Sequence, residues 1–205
     1  MKKDSVKILL SPYQPTWVDD FLAERDVVGS ILSGYDPIIE HVGSTSIPGL
    51  CAKPTIDILV GVQDDSLLDQ IITPLIGGGY TYFAKYEPAM PYRRLFARLK
   101  PLAGKAPPKV IAINDEFVRG EEFVSVANIH VLVRDTLHWH RHLAFRDFLR
   151  AQAELKDEYG RLKAELSRHE FKDTNDYNSA KNDFIKRTQS QALAWYNNQA
   201  SVDTY

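Results

Sequence analysis

The segment from Glu40 to Val62 constrains this chain more than any other part of its sequence. It contains a strand, a turn of small residues (Gly43-Ser44-Thr45-Ser46), and a second strand from Thr55 to Val62 that is apolar apart from Asp57. A carboxylate within an apolar strand is costly unless a partner or a metal ion offsets its burial. The turn offers hydroxyl and backbone N–H groups that suit phosphate. The segment therefore predicts a phosphate site beside a metal-binding Asp57, as phosphoryl and nucleotidyl transfer require.

The composition is that of an ordinary globular protein and argues against several function classes. Of the 205 residues, 44% are hydrophobic and 25% are charged, which is enough for one good core with a smaller second lobe. The net charge of -2 gives no general attraction for nucleic acid or for an anionic membrane. A single cysteine excludes an internal disulfide, and no long apolar stretch follows the N-terminus. We therefore expect a cytoplasmic protein whose partners are neither membranes nor nucleic acids.

Hydrophobic spacing predicts a mixed α/β front and a helical back third. A first helix is predicted to start at Pro15, and a second is predicted to be capped at 64–66 and to run to about Ile76. The strand-like runs are Ile38–Val42, Thr55–Val62, Tyr80–Tyr86, Arg93–Leu99 and Phe123–Val133. Residues 100–117 are rich in Pro, Gly and Lys and predict an exposed excursion. Residues 1–135 should form the α/β domain, with a helical lobe over 136–205 packed on it.

The block Glu-His-Val-Gly-Ser-Thr-Ser-Ile-Pro-Gly-Leu-Cys-Ala-Lys-Pro-Thr-Ile-Asp-Ile, residues 40–58, resembles the signature of the GrpB family. This family is a branch of the nucleotidyltransferase superfamily. The likeness continues in these residues: 128–133, 142–150, Tyr159, Lys163, Tyr177, Lys181, Phe184 and Ile185. The resemblance implies a nucleotidyltransferase-like mixed sheet flanked by helices, with a C-terminal helical lobe. Some family members are fused to a dephospho-CoA kinase domain, which points to nucleotide or coenzyme A metabolism.

The resemblance also implies a metal site, but one with fewer carboxylate ligands than is usual in the superfamily. Superfamily enzymes carry two alternate carboxylates on the strand after Gly-Ser and a third on a later strand. Asp57 matches one of the pair, while Thr55 or Leu59 occupies the partner position and His130 stands where the later acid is expected. We therefore expect Mg²⁺, or Mn²⁺ in its place, at Asp57, with Glu40 as a further ligand if its strand neighbours that of Asp57. His130 is a candidate catalytic residue, although a core histidine would fit the same pattern.

Other residues are candidates for binding the phosphates of a nucleotide. In the turn these are Gly43, Ser44, Thr45 and Ser46, although a simple capped turn would have the same composition. Outside the turn they are Lys53, Arg94, Tyr177 and Lys181. Lys53 begins the Asp57 strand, Arg94 alternates with Phe96 and Arg98, and Tyr177 and Lys181 share a helix face. The competing interpretations are that Lys53 is a surface lysine, that Arg94 lies on a solvated strand face, and that Tyr177 and Lys181 lie at the boundary of an amphipathic helix.

The leading hypothesis from sequence is a Mg²⁺-dependent nucleotidyltransferase. It would move a nucleotidyl group from a nucleoside triphosphate to an unidentified small-molecule or protein acceptor. The alternative is a nucleotide-binding sensor or accessory protein that lost catalysis together with the second carboxylate. A third hypothesis is a metal-dependent phosphohydrolase that uses His130.

Overall fold

The computed structural model describes residues 5–102, 104–117, 122–172 and 174–202. Its helices are α1 (Thr16–Ile31), α2 (Leu67–Gln70), α3 (Ile72–Gly77), α4 (Leu137–Ala151), α5 (Ala153–Leu166), α6 (Thr174–Ser179) and α7 (Asn182–Val202). Its strands are β1 (Val6–Lys7), β2 (Ile38–Val42), β3 (Ile56–Val62), β4 (Thr81–Tyr82), β5 (Arg93–Pro101), β6 (Phe123–Val133) and β7 (Glu170–Phe171). Across these described ranges, no helix combines the length and the apolar character needed to span a bilayer.

Five strands form one mixed sheet in the order β2-β3-β6-β5-β4. β3 and β6 run parallel, whereas β2 with β3, β5 with β6 and β4 with β5 are antiparallel. A separate two-stranded pairing joins β1 to β7, so the N-terminal segment reaches the helical part of the chain. The predicted α/β fold, a mixed sheet flanked by helices, is confirmed.

One face of the sheet forms the main core against α1, α2 and α3. The side chains of Ile56, Ile58, Val60 and Val62 alternate onto this face of β3 and are all buried. On α1, Trp17, Phe21 and Val28 recur at helical spacing and pack against them. The other residues of β3 therefore point to the opposite face, and Asp57 is one of them.

Helix α4 covers this opposite face. Trp139 and Leu143 of α4 pack on Val42, Leu59 and Leu132 in a second apolar cluster. Gly61 makes this packing possible, because an added Cβ there would lie 2.8 Å from the Trp139 ring. The helical lobe thus lies over the sheet face that carries Asp57.

The structure corrects three local predictions. The helix expected to run to Ile76 is two short helices, because Pro74 lacks the N–H that would bond the carbonyl of Gln70. The strand expected at Tyr80–Tyr86 is only Thr81–Tyr82, followed by a 3₁₀ turn. The exposed excursion returns to the sheet at Val110, which bridges to Tyr82.

Gly61→Ala tests the contact between the sheet and α4. We expect the added methyl group to displace Trp139 and to lower the free energy of unfolding by about 1–3 kcal/mol, as overpacking does. Urea unfolding measures the loss. The matched control is Gly77→Ala, where a Cβ meets no atom within 4 Å and stability should not fall. An unchanged stability in Gly61→Ala would contradict the packing described here.

Candidate active site

The Gly43 turn lies directly against the carboxylate of Asp57. Val42 pairs with Asp57 across the sheet, so the chain leaves β2 beside this carboxylate. Gly43 has a φ of +71°, and an added Cβ would lie 2.4 Å from Asp57 Oδ2. Only glycine therefore provides both the backbone conformation and the close approach. The Gly-Ser-Thr-Ser turn and Asp57, which the sequence predicted to act together, are therefore adjacent in space.

Two of the turn hydroxyls hold the turn in shape. Ser46 Oγ donates to the Gly43 carbonyl at 2.7 Å, and Thr45 Oγ1 lies 3.0 Å from His41 Nε2. The His41 ring stacks on Phe21 at 4.6 Å between ring centroids. Burial is the main cause that lowers the pKa of His41 to about 4, so this imidazole is neutral at pH 7. Thr45 and Ser46 are thus structural residues of the turn.

Asp57 is kept ionised by its neighbours. Asn128 Nδ2 donates to Asp57 Oδ1 at 2.8 Å, and His130 Nε2 lies 3.8 Å from the same oxygen. Burial by itself raises the pKa of Asp57, but the contacts with His130 and Asn128 and the charge of Lys53 outweigh it. The pKa therefore lies below the ordinary value of 3.8.

Arg93 fixes the tautomer of His130. Arg93 Nη1 lies 3.2 Å from His130 Nδ1, and a guanidinium can only donate. Nδ1 must therefore accept, which places the imidazole proton on Nε2, the nitrogen nearer to Asp57. Arg93, His130 and Asp57 thus form a chain in which positive charge supports an ionised carboxylate.

Three lysine amines meet on the other side of Asp57. Lys181 Nζ lies 4.2 Å and Lys53 Nζ 5.4 Å from the centroid of the Tyr177 ring. Lys163 Nζ lies 4.7 Å from the Tyr159 ring centroid and donates to the Cys51 carbonyl. We call Lys53, Lys163 and Lys181 the lysine cluster.

The lysine cluster is electrostatically strained. Burial, followed by the charges of Lys53 and Lys163, lowers the pKa of Lys181 to about 7. Burial lowers the pKa of Lys163 to about 8. An anion bound among these amines would favour their charged forms and relieve their mutual repulsion.

The turn and the lysine cluster meet at Tyr159. The Ser44 side chain interacts with the Tyr159 hydroxyl and favours its ionised form, which opposes the effect of burial on the Tyr159 pKa, and the Tyr159 ring stacks on Phe184 at 4.6 Å. Tyr159 comes from α5 and Phe184 from α7, so two helices of the lobe place this ring against the turn. Tyr159 therefore interacts both with Ser44 of the turn and with Lys163 of the lysine cluster.

Two arginines of α4 fasten the lobe to the turn. Arg146 Nη1 donates to Glu40 Oε2 at 2.7 Å and to the His41 carbonyl at 3.0 Å. Arg150 donates twice to the Ser46 carbonyl, at 3.1 Å from Nε and 2.8 Å from Nη2. Glu40 lies on the same sheet face as Asp57, but its carboxylate binds Arg146, so its direct role is to anchor α4.

Most of the residues predicted from sequence come together, but Arg94 does not. It points to the opposite face of the sheet, where its Nε donates to Asp69 Oδ1 at 2.8 Å. Its register partner Val131 belongs to the main core. The alternation of Arg94, Phe96 and Arg98 is as predicted, but the face is the one away from Asp57. The adjacent Arg93 is the arginine that reaches the site.

Sequence reasoning overlooked Arg93, Asn128, Tyr159 and Lys163 as site residues. Asn128 could have been found, because it shares a strand face with His130. Tyr159 and Lys163 are four residues apart and match the family pattern, which was a usable signal. Arg93 gave no such signal, because its face depends on the pairing of β5 with β6.

Gly43→Ala tests the close approach to Asp57. We expect the added Cβ to push the carboxylate away from Asn128 and His130, so that the pKa of Asp57 rises toward its ordinary value. ¹³C NMR titration of the Asp57 carboxyl measures this change. Gly49→Ala is the matched control: φ is +80° there, but the nearest atom to a Cβ is the flexible Lys156 Nζ at 3.6 Å. An unaltered Asp57 titration in Gly43→Ala would contradict the geometry.

Lys181→Met tests the strain in the lysine cluster. Between pH 7 and 10.5 the unfolded state binds a proton on Lys181 that the folded state has lost, so stability rises with pH across this window. We expect the variant to be more stable than wild type by about 1 kcal/mol or more near pH 6, since one pKa unit corresponds to ~1.4 kcal/mol. Its stability should also depend less on pH.

Urea unfolding at several pH values checks this expectation. The control is Lys186→Met, which removes an exposed lysine of α7 and should leave the pH dependence as in wild type. A Lys181→Met protein that is less stable than wild type at low pH would overturn the assignment of strain.

Comparisons with known proteins agree with the family resemblance of residues 40–58. The family model described as GrpB protein matches residues 7–191. A UPF0157 protein of Halalkalibacterium halodurans is 34% identical over 194 residues, which is 95% of this chain and 87% of the relative. The crystal structure of GrpB from Enterococcus faecalis superposes with a TM-score of 0.71 and 31% identity, over 92% of this chain and 99% of that one.

A structure of Cid1, described as having RNA terminal uridylyl transferase activity, gives a TM-score of 0.43 at 14% identity, over 71% of this chain and 38% of that chain. The family assignment rests on the three closer comparisons. The chain belongs to the GrpB family.

Proposed function

We propose that this protein binds a nucleoside triphosphate between the turn and the helical lobe and transfers its nucleotidyl group to an acceptor. The observation that carries the proposal is the lysine cluster beside Ser44 and Asp57. The amines of Lys53, Lys163 and Lys181 lie close together, and burial lowers the pKa of Lys163 and of Lys181, so the free protein stabilises their charged forms poorly. A polyphosphate supplies the negative charge that this arrangement lacks.

The phosphates would lie on the lysine cluster, with Ser44 and the turn backbone beside them. Lys53 and Lys181 approach the Tyr177 ring, whose buried position fixes where their amines can go. Tyr177 is 1% exposed, so its ring is held in place by packing and gives both amines a fixed neighbour. Lys163 is held by the Cys51 carbonyl at the other side. Such positioning before binding reduces the entropy lost when the ligand is ordered.

The donor set at Asp57 fits a magnesium ion that arrives with the nucleotide. Glu40 is bound by Arg146, and the described part of the chain contains no group of three or more His, Cys, Asp or Glu residues arranged to hold a metal. In nucleotide sites Mg²⁺ commonly takes one or two carboxylates and completes its shell with phosphate oxygens and water. Asp57 would hold this ion, which would neutralise charge on the reacting phosphates. Mn²⁺ accepts the same oxygen ligands.

The chain's own residues would keep Asp57 in its anionic form. Arg93 orients His130, and the Nε2 proton of His130 lies toward Asp57, while Asn128 donates directly to the carboxylate. His130 accepts from Arg93, so in this arrangement it positions Asp57 and does not serve as a general base. This arrangement favours transfer over the phosphohydrolase hypothesis, in which His130 would act on water.

A second candidate function is nucleotide sensing without turnover. The observation in its favour is that Asp57 is a single carboxylate, while Glu40, an acidic residue on the same sheet face, is bound by Arg146. Two-metal transfer ordinarily relies on several carboxylates. Binding and turnover therefore need to be measured separately.

The test combines thermal shifts with a product assay. A panel of nucleoside triphosphates and coenzyme A derivatives is applied with and without Mg²⁺ or Mn²⁺ to wild type, Asp57→Asn and the exposed control Asp65→Asn. A nucleotide at ~100 times its dissociation constant should stabilise the wild type by ~2.7 kcal/mol. We expect Asp57→Asn to lose the metal-dependent part of this shift, because the substitution replaces a negatively charged metal ligand with a neutral amide. The control should behave as wild type.

Release of pyrophosphate from the stabilising nucleotide would support transfer. A nucleotide shift without any turnover would support the sensor, and release of inorganic phosphate without an acceptor would support the phosphohydrolase. If no nucleotide stabilises the wild type, both nucleotide proposals fail.

A further inference from the structure

A second group of cations lies on the other side of Asp57, away from the lysine cluster. It comprises Arg93, from the start of β5, and Arg141, from α4, with the imidazoles of His130 and His142 between them. The ring centroids of His130 and His142 are 5.9 Å apart. We call Arg93 and Arg141 the arginine pair. The proposed nucleotide site does not use it to bind phosphate.

The charge of Arg141 is not balanced by protein. Across the described ranges it forms no ion pair, and its Nη2 contacts only the Tyr92 hydroxyl, at 3.4 Å. Its guanidinium also lies 5.8 Å from the Tyr92 ring centroid, while Tyr92 stacks on His138. The Tyr92 ring thus orients Arg141 without neutralising it. A partly buried guanidinium that meets a ring and a hydroxyl gains most from an anionic partner.

The pKa of His142 indicates that His130, Arg93 and Arg141 lie close to one another. Burial first, and then the electrostatic effect of His130 and the charges of Arg141 and Arg93, lowers the pKa of His142 to about 3, while Asp57 opposes the effect. The imidazole is therefore neutral at pH 7 and adds no positive charge of its own. Its buried Nε2 has no hydrogen-bond partner within the described residues. The space beside the arginine pair therefore contains a buried nitrogen without a hydrogen-bond partner among the described residues.

The two cationic groups lie on opposite sides of Asp57 along β3. Lys53 precedes this strand, whereas Arg93 pairs with Leu132, which in turn pairs with Gly61. The backbone of Gly61 is four residues beyond that of Asp57, or roughly 13 Å at ~3.3 Å per residue, and the Arg93 side chain reaches back from this level to His130. In-line displacement at phosphorus requires the entering and leaving oxygens to be on opposite sides of the reacting atom. The lysine cluster suits the leaving pyrophosphate, and the arginine pair suits the acceptor.

We infer that the acceptor is itself an oxyanion, a carboxylate or a phosphate monoester, held by Arg93 and Arg141. This inference rests on the proposed nucleotidyl transfer. An oxygen of the acceptor forms a bond to the α-phosphorus, and the bond from that phosphorus to the bridging oxygen breaks, releasing pyrophosphate. The products are a mixed anhydride or a diphosphate diester. No proton is transferred, because the acceptor is already ionised at neutral pH.

The absence of a proton-transfer step agrees with the residues around Asp57. His130 receives its hydrogen bond from Arg93, and His142 is buried with a pKa too low for a base near pH 7. A hydroxyl acceptor would need a general base within hydrogen-bond reach. An anionic acceptor needs only positive charge and alignment, which the arginine pair provides.

The test measures anion binding to the protein already saturated with α,β-methylene ATP, a nucleotide that cannot lose pyrophosphate. Acetate and methyl phosphate are titrated separately, and their neutral counterparts acetamide and methanol are titrated in parallel. ¹H–¹⁵N NMR follows the Arg141 Nε–Hε signal and the backbone signals of 138–142. Binding of the nucleotide itself is recorded first by calorimetry. The variants are Arg141→Gln and, as a control on the same lobe, the exposed Arg161→Gln.

We expect saturable shifts with at least one anion and none with the neutral compounds. Arg141→Gln should weaken anion binding by about tenfold or more, because a charge-assisted contact is lost, while leaving the nucleotide affinity as in wild type. Arg161→Gln should change neither affinity. A response to acetate alone identifies a carboxylate acceptor, and a response to methyl phosphate alone identifies a phosphate monoester.

Several results would overturn the inference. If the nucleotide binds but neither anion shifts the Arg141 signal, or the neutral compounds shift it equally, the acceptor inference fails and the nucleotide proposal stands. The same holds if Arg141→Gln binds both anions as tightly as wild type. If the nucleotide analogue does not bind, the proposed function fails first and the acceptor inference falls with it.

Discussion

Arg146 and Arg150 join the helical lobe to the turn, and the geometry of the candidate active site depends on these bonds. Arg146 reaches Glu40 and the carbonyl of His41, while Arg150 reaches the carbonyl of Ser46. The two guanidinium groups therefore hold both ends of the Gly43–Ser46 turn against α4. Charge-assisted bonds to carbonyl and carboxylate oxygen are stronger than neutral ones, and planar guanidinium groups give them direction. This explains how a turn without a long helix behind it keeps a fixed shape beside Asp57.

The same constraint explains why buried positive charge is tolerated on both sides of the carboxylate. With the turn fixed, α5 and α7 bring Tyr159 and Phe184 together, and Lys163 and Lys181 lie next to them. On the other side, α4 brings Arg141 and His142 over the sheet. The amines lose proton affinity through burial, so the free protein is less stable than an apolar packing of the same helices would be. Such arrangements are typical of binding sites, where the ligand restores the balance of charge.

Much of this could be predicted from the sequence, and the reason differs from residue to residue. Asp57 was found because β alternation sets it apart from Ile56 and Ile58, which is a property of the local pattern. The α/β front and the helical third follow from hydrophobic spacing in the same way, whereas the mixed sheet was implied by the resemblance to the GrpB family. Arg94 was predicted at the site in place of Arg93. Alternation divides the residues of a strand between two faces but cannot say which face carries Asp57. The face is decided by the pairing of β5 with β6.

The sequence by itself determined the strands of the sheet, the turn at Gly43, the lone carboxylate and the membership of the GrpB family. These depend on local periodicity, on the backbone freedom of glycine and on a contiguous block of residues. Only the tertiary structure decided that Glu40 binds Arg146, that Lys53 meets amines more than 100 positions further along the chain, and that a second cationic group lies opposite the first. Contacts between such distant residues depend on how the helices pack on the sheet. That packing is set by the summed burial of many side chains, which no short segment encodes.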